Sequence, residues 1–332
     1  MRTPSFLRDL LIALVALAVV IALPTLFHSP PLRDFIIHAC AYGLLAMSLN
    51  LLIGYTGMVS FGHAMFFGIG AYVFALLLQT GGWSIPAAFL AALAATAVAA
   101  LAIGAICIRL TEIYFAFLTL AFQMMIYNVI LAWRQVTGGD QGLLGGIPRP
   151  PFLGIDLAHP STFYVVTCVL TVACILLMRM IVVSPFGYSM RMVRDNAHRA
   201  GFLGVSVMRV KLVIFVLAAL IASVGGMILA LFVSGAYPTY AFWTTSGNAI
   251  FMIMLGGMNV FLGPLLGTVI LSKLNDVVTT YTHYYGLTLG VILLVIVLGL
   301  RKGCLDVLVE WRQRKRQAVL AARLAARERQ QT

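Results

Sequence analysis

The sequence predicts an all-α polytopic membrane protein with about eight full transmembrane helices plus a broken-helix hairpin, hence 8–10 crossings, and with both termini cytoplasmic. Composition supports this first: the 332 residues are 62% hydrophobic and 10% charged, with a mean hydropathy of +1.02. Ordinary soluble domains do not have such a composition. The apolar runs also match the ~20 residues that a helix needs to cross a bilayer. Finally, glycine-rich segments break two of these runs.

Eight apolar runs are predicted to form membrane helices. They lie near residues 10–27, 35–53, 58–78, 85–107, 113–132, 160–182, 212–233 and 286–300. A ninth run, 248–272, fits a hairpin of two short or half-crossing helices better than one straight span. The residues that interrupt it are Gly256, Gly257, Gly263 and Pro264.

The first apolar run follows a positively charged N-terminus, which is also the pattern of a signal peptide. No A-x-A-like cleavage site follows the run, so an uncleaved helix is expected. The predicted organisation is therefore an anchor helix and first outer loop at 1–34, a transmembrane domain at 35–303 and a basic cytoplasmic tail at 304–332. That tail is expected to lie on lipid or against a partner.

Basic residues indicate the orientation, because cytoplasmic segments are enriched in lysine and arginine. With a cytoplasmic N-terminus and a hairpin that returns to its own side, the inner segments hold 18 of the 22 basic residues. The outer segments hold Arg33, Arg134, Arg149 and Lys273. The net charge of +12 therefore reflects topology, and nucleic acid is not expected as a partner.

Motifs of catalysis, nucleotide binding and metal binding are absent from the sequence. It contains no G-x-x-x-x-G-K-[ST], H-E-x-x-H or G-x-S-x-G pattern. Its six histidines are scattered, and its five cysteines form no C-x-x-C pair. The chain is therefore expected not to be an enzyme, and to hold neither a metal nor a cofactor of its own.

Two glycine-rich breaks, at 54–63 and 256–264, are the strongest indication of a transport path. A broken helix leaves backbone groups without partners in lipid, and it is tolerated where it lines a cavity. Close packing of helices through small residues is the alternative for any single glycine. The predicted path residues are Gly57, Ser60, Phe61, Gly62, His63, Gly256, Gly257, Asn259, Gly263 and Pro264.

Polar residues within the apolar runs are few. Thr119 and Gln123 lie four residues apart on one helix face, and either form interhelical hydrogen bonds or line the path. Transporters driven by ion gradients usually place ionisable groups near the midplane, and their scarcity here counts against that class. His63 is the exception, and it leaves a proton-linked role open.

The loop at 184–211 is the most polar internal segment. Ser184-Pro185 predicts a helix start, and Gly204 a stop. Between them, one face carries Met190, Val193, Ala197 and Ala200 at helical spacing. The predicted amphipathic helix either lies on anionic lipid or docks into a groove of a soluble partner.

An ordered series of motifs resembles the permease subunits of branched-chain amino-acid ABC transporters, of the LivM type. The series includes AYGLLAMSLNLLIGYTG at 41–57, TGGDQGL at 137–143 and GPLLG at 263–267. Between and around them lie further matching segments at 60–63, 113–116, 118–122, 184–187, 243–247 and 255–258. Asn259 departs from the family pattern, which frequently has glycine there.

The resemblance implies a multi-pass protein of the bacterial cytoplasmic (inner) membrane. Its implied role is the permease of a binding-protein-dependent importer for branched-chain amino acids or a related small polar solute. The implied partners are a homologous second permease, two ATP-binding cassette ATPase subunits that use ATP, and a soluble substrate-binding protein on the outer face. A self-sufficient secondary transporter or channel is the alternative.

The resemblance also implies roles for two loops. The 184–211 loop would couple the permease to an ATPase, with close approach at the small face of Ala197 and Ala200. The coupling residues would be Arg191, Arg194, Asp195, Arg199, Ala200 and Gly204. The 133–159 loop either contacts the substrate-binding protein or simply closes the chain. Its contact residues would be Thr137, Gly138, Gly139, Asp140 and Gly142.

Overall fold

The structure is a computed structural model that describes residues 6–27, 29–110, 112–143, 146–149, 156–281, 284–299, 303–311 and 315. Its regular elements within these ranges are helices, apart from one isolated bridge between Leu143 and Ala236. The predicted all-α class is therefore confirmed. The helices are α1 (Phe6–Phe27), α2 (Pro30–Thr56), α3 (Ala64–Gly81), α4 (Ile85–Cys107), α5 (Glu112–Ala132), α6 (Arg134–Thr137), α7 (Pro160–Val183), α8 (Pro185–Asp195), α9 (Ala197–Phe202), α10 (Val207–Val233), α11 (Trp243–Gly256), α12 (Gly263–Tyr281) and α13 (Tyr285–Gly299).

Six helices within the described ranges are long and apolar enough to cross a membrane: α2, α3, α4, α5, α7 and α10. The sequence predicted about eight. Helix α13 has only 15 residues, and at 1.5 Å per residue it spans roughly 22 Å of a hydrocarbon core of about 30 Å. The polytopic class stands, and the total number of crossings stays a prediction.

Four predicted helix starts were wrong by four residues or more, those of α1, α2, α3 and α10. For α3 and α10 the physical reason is clear. The helix expected at 58–78 begins only at Ala64, because residues 57–63 are not helical despite their apolar side chains. The helix expected at 212–233 begins at Val207. Its first turn carries Arg209 and Lys211, so hydropathy places the start too late, although long basic side chains are compatible with a helix that leaves the apolar layer.

The chain forms two compact units, residues 1–250 and 251–332. In the first unit α10 packs against α2, α3 and α4. In the apolar stretches of α2 and α10, 78% and 72% of the residues are buried, whereas in those of α4, α5 and α7 the share is 28% each. Helices α2 and α10 therefore form the core, and the outer helices present apolar side chains that in a membrane meet lipid or another subunit.

Glycines allow α10 to touch its neighbours through the backbone. A Cβ atom at Gly226 would lie 2.0 Å from the carbonyl oxygen of Phe67 in α3. A Cβ at Gly225 would lie 2.5 Å from the carbonyl oxygen of Ala41 in α2. On the facing surface, a Cβ at Gly70 would lie 2.3 Å from the hydroxyl of Ser223. This is the small-residue packing typical of membrane helices.

Helix α1 packs against α7 and α2. The Tyr164 hydroxyl donates to the carbonyl of Val20, and Arg179 Nε lies 3.2 Å from Asp9 Oδ2. Because most of the apolar face between these contacts is exposed, the two polar contacts define how α1 lies on α7.

The second unit is built around the predicted hairpin. The hairpin consists of α11 and α12, and residues 257–262 form the break between them. A Cβ at Gly256 would lie 1.8 Å from the carbonyl oxygen of Gly263, and a Cβ at Gly267 would lie 1.8 Å from that of Met252. The two helices thus meet at backbone contact, as a hairpin of two helices requires.

Asn259, at a position where the resembled family frequently has glycine, contacts Asp306. Asn259 Nδ2 donates to Asp306 Oδ2 at 3.0 Å. The same carboxylate lies over Gly257, whose φ of +109° favours glycine and whose Cβ would be 2.8 Å from Asp306 Cγ. Within the second unit, residues 303–311 therefore pack against the hairpin turn. The tail's arginines, like residues 150–155, lie outside the described residues.

Gly226→Ala is expected to destabilise the first unit, because a methyl group cannot occupy a point 2.0 Å from a backbone oxygen. Overpacking of this kind costs roughly 1–3 kcal/mol. The measurement is the thermal midpoint of the solubilised protein, followed by fluorescence-detected size exclusion. Gly290→Ala is the control, since nothing lies within 4 Å of its Cβ. Equal midpoints for the two variants would contradict the packing argument.

Candidate functional site

The first break, residues 57–63, turns back along α2. Gly57 caps α2 in the left-handed region with φ 73° and ψ 10°, a conformation that favours glycine. Six residues later, His63 Nε2 lies 2.9 Å from Ser48 Oγ. Ser48 precedes the end of α2 by eight residues, or about 12 Å along the helix axis. Helix α3 therefore begins inside the helix bundle.

His63 is fully buried, and its neighbours determine its tautomer. Ser48 Oγ donates to the carbonyl of Leu45 at 2.9 Å, so toward His63 it accepts the Nε2 proton. Nδ1 is then an acceptor, and the described residues provide it with no partner. Ser60 Oγ is also fully buried without a partner among them. Unpaired buried polar atoms are costly, and two in one seven-residue segment point to a functional element.

A chain of hydrogen bonds caps α3 from other elements. Ala64 N donates to Ser246 Oγ at 2.9 Å, and Ser246 Oγ donates to Gln123 Oε1 at 3.0 Å. Gln123 Nε2 in turn donates to the carbonyl of Ala241 at 3.1 Å. Gln123 and Ser246 are both fully buried. Helix α5 and the start of α11 therefore hold the N-terminus of α3 in place.

The two polar residues of α5 form different hydrogen bonds, and their place along a transport path stays a prediction. Gln123 forms interhelical hydrogen bonds, as one interpretation predicted. Thr119 is fully buried and donates to the carbonyl of Ala116 in its own helix. Its carbonyl oxygen would lie 2.0 Å from a Cβ at Gly62, so the first break packs directly on α5. Phe61, by contrast, is 42% exposed.

The residues of each break, with their contacts, form one group within each unit, and their role as a path stays a prediction. In the first unit, Ser48, Gly62, His63, Gln123 and Ser246 are joined by the contacts above. In the second, the hairpin turn brings together the predicted residues Gly256, Gly257, Asn259, Gly263 and Pro264. Sequence reasoning missed Ser48 and Ser246, although both lie in motifs that carry the family resemblance, at 41–57 and 243–247.

The 184–211 loop contains two helices where the sequence predicted one. It starts as predicted, with Ser184 Oγ accepting from Gly187 N. It breaks at Asn196, which has φ −164° and ψ 102° and whose Oδ1 accepts from Arg199 N at 2.9 Å. Asparagine favours this N-cap role over a helix interior. Gly204, with φ +83°, follows the end of α9, as the predicted stop required.

The apolar face of this loop is used inside the protein. Helix α8 packs against α2, α7 and α10. Met190, Val193 and Ala200 are 0%, 4% and 1% exposed. This chain's own residues already cover the methyl group of Ala200, whereas Ala197 is half-buried, and the coupling role of the loop stays a prediction. The most exposed apolar residues of the loop are Phe202 at 90% and Leu203 at 74%, just beyond that face.

Two arginines tie α8 to the ends of other helices. Arg191 is half-buried, and it donates to the carbonyls of Gly187 and Val182, each at 3.2 Å. Arg194 donates through Nη1 to the carbonyl of Gly54 in α2, and through Nε to Asp195 at 3.3 Å. Charged donors at helix C-termini are favourable because carbonyls without partners accumulate there.

The described residues 133–143 of the 133–159 loop form an ordered connection. Thr137 Oγ1 donates to the carbonyls of Ile130 and Trp133. Gly142, with φ +71°, lies so close to Ala236 that a Cβ would be 2.4 Å from its carbonyl oxygen. Gly138 and Gly139 also have positive φ. These contacts support loop closure, and the exposed Asp140 leaves the outer contact a prediction.

Arg149 fastens the far part of the same loop to the end of α10. Its Nη2 donates to the carbonyl of Leu231 and, at 2.8 Å, to Ser234 Oγ. Its guanidinium lies 5.3 Å from the ring centroid of Phe163. Partial burial lowers the pKa of Arg149 from its usual value. The sequence showed it only as an outer basic residue.

Comparison with known proteins identifies the family of this chain. The family described as the branched-chain amino acid transport system permease component matches residues 32–298. The chain belongs to this family. The permease includes both breaks and the 184–211 loop within the matched region. It is accordingly a multi-pass ABC-transport permease of the bacterial inner membrane.

Two relatives of the permease carry the same printed name, high-affinity branched-chain amino acid transport system permease protein LivM. The Escherichia coli (strain K12) protein is 26% identical over 291 residues, which cover 80% of this chain and 67% of the relative. The Salmonella typhimurium protein has the same identity and coverage. No solved structure matches the permease.

Ser48→Ala is expected to destabilise the permease, because it leaves the buried His63 Nε2 proton without its acceptor. An unsatisfied buried donor costs about 1–3 kcal/mol. The control is Ser161→Ala, which removes the hydroxyl from an exposed serine–histidine pair with His159. Thermal midpoints in detergent give the comparison. A Ser48→Ala midpoint as high as that of Ser161→Ala would show that the His63 contact contributes nothing.

Proposed function

We propose that this permease is the membrane subunit of a binding-protein-dependent importer for branched-chain amino acids or a related small polar solute, driven by separate ATPase subunits. The observation that carries the proposal is the end of α9, where Phe202 and Leu203 are exposed beside a loop otherwise packed on the bundle. No phosphate-binding loop occurs in the sequence, so another chain must hydrolyse the ATP.

The exposed pair fits a partner's groove better than a lipid surface. Burial of an aromatic side chain at the centre of an interface contributes strongly to affinity. Asn196 fixes the start of α9, and Ala200 anchors its inner side, so Phe202 projects from a rigid support. The flanking His198 and Arg199 are exposed and give the rim basic character. An ATPase groove with an apolar centre and acidic rim would be complementary.

The remaining partners come from the family. They are a homologous second permease, a second ATPase subunit and a soluble substrate-binding protein on the outer face. Exposed apolar side chains of α4 and α5, such as Leu90 and Phe117, are available to a second permease as well as to lipid. The solute class rests on the names of the two relatives.

Within each unit we assign the path residues to the break, which is 57–63 in the first unit and 257–262 in the second. Ser60 Oγ and His63 Nδ1 offer polar groups that the described residues leave unpaired. The turn of the second break is held by Asn259 and Asp306. Movement of the ATPases would shift the 184–211 loop and change the side to which these segments open.

Replacement of Phe202 and Leu203 together by serine is expected to abolish copurification of the ATPase subunits and ATP-driven leucine uptake, since the apolar centre of the contact is removed. The control is Tyr281→Ser, a change at an 85% exposed residue of α12. Pull-down yields are normalised to inserted permease. A loop that lies on lipid predicts unchanged ATPase recovery from the double variant, and that outcome would refute the docking proposal.

The purified permease alone is expected to bind no ATP and to hydrolyse none, because it lacks a phosphate-binding loop. Equilibrium binding with radiolabelled ATP and reconstitution into proteoliposomes test this. The same vesicles should not accumulate leucine when only a proton or sodium gradient is imposed. Gradient-driven accumulation without partners would favour the secondary transporter.

A further inference from the structure

Arg194 joins the 184–211 loop to the helix that leads into the first break. Its Nη1 donates to the carbonyl of Gly54, three residues before the Gly57 cap. Its side chain also lies along the cap, since a Cβ at Gly57 would be 3.2 Å from Arg194 Cγ. One side chain therefore contacts both the last turn of α2 and the residue at which the chain leaves the helix.

The hydrogen bonds at the end of α2 explain why this carbonyl is available. The last four carbonyls of a helix have no partner within it. Gly57 N donates to the carbonyl of Ile53. Met58 N and Thr56 Oγ1 both donate to the carbonyl of Leu52. The Arg194 guanidinium donates to the next carbonyl along the helix, that of Gly54. A charged donor is favourable there because the helix dipole is negative at this end.

The loop reaches its other neighbours by different means. It continues directly from α7, where Arg191 adds a hydrogen bond to the carbonyl of Val182, and directly into α10. Helix α2 is separated from it by more than 120 residues of sequence, so movement must pass through packing and Arg194. Helix α8 packs against α2, and Arg194 adds to that contact a hydrogen bond that is specific for one carbonyl.

We propose that Arg194 is a positioning residue that transmits displacement of the 184–211 loop to the end of α2, and so to the first break. The proposal rests on the proposed coupling of this loop to an ATPase. When the loop moves, the guanidinium carries the Gly54–Gly57 turn with it. Segment 57–63 and the attached His63 then shift relative to α5, against which Gly62 is packed.

The test uses the assembled transporter in proteoliposomes with leucine and its binding protein. For Arg194→Ala, ATPase copurification and ATP hydrolysis should stay near wild type. Uptake should fall about tenfold or more, as expected for loss of a charge-assisted hydrogen bond. The ratio of ATP hydrolysed to leucine imported therefore rises. Arg194→Lys keeps a single donor and should recover part of the uptake.

Controls separate this role from two others. Arg109→Ala removes an exposed arginine from the α4–α5 connection and should leave the ratio unchanged. If Arg194→Ala lowers hydrolysis, uptake and folded protein in proportion, the residue is a static cap and the proposal is overturned. Loss of ATPase recovery alone would instead place Arg194 in the docking surface, which also overturns it. A wild-type permease that recovers no ATPase refutes the proposed function itself.

Discussion

The need to satisfy backbone groups inside the bundle governs the arrangement of the first unit. Helix α3 begins eight residues deep along α2, where water is excluded and an unpaired amide is costly. Ser246 meets this need by accepting from Ala64 N, and Gln123 orients Ser246. The position of α5, the start of α11 and the turn after Gly57 all follow from that short chain of hydrogen bonds.

Much of the fold was predictable because apolar length and glycine clusters are strong signals. The spans near 85–107, 113–132 and 160–182 differ from α4, α5 and α7 by at most a residue at either end. The sequence did not predict which helix lies at the centre of the bundle, because the sequences of α4 and α10 are similarly apolar. The two helices differ mainly in where their small residues face a neighbouring helix. The late start of α3 was not predicted, because the apolar side chains of Met58, Val59 and Phe61 continue the apolar run that predicts the helix.

The candidate site was predictable as segments and less so as side chains. The breaks and the start of the 184–211 loop were located from glycine, serine and proline, whose backbone preferences are local. The partner of each polar side chain depends on residues distant in sequence, as with Ser48 and His63. For the loop, helical spacing correctly grouped Met190, Val193 and Ala200, but periodicity cannot say whether such a face meets the same chain or another.

The contact of α10 with α2 and α3 limits how the transporter can change shape. With Gly225 and Gly226 seated on the backbones of Ala41 and Phe67, no layer of flexible side chains cushions the interface. A shift by a fraction of a turn would bring carbonyl oxygens against Cα atoms, so these three helices must rotate together as one rigid body. Bending is then confined to segments outside this body, such as the joint at Asn196 between α8 and α9, and such segments set the amplitude of the movement.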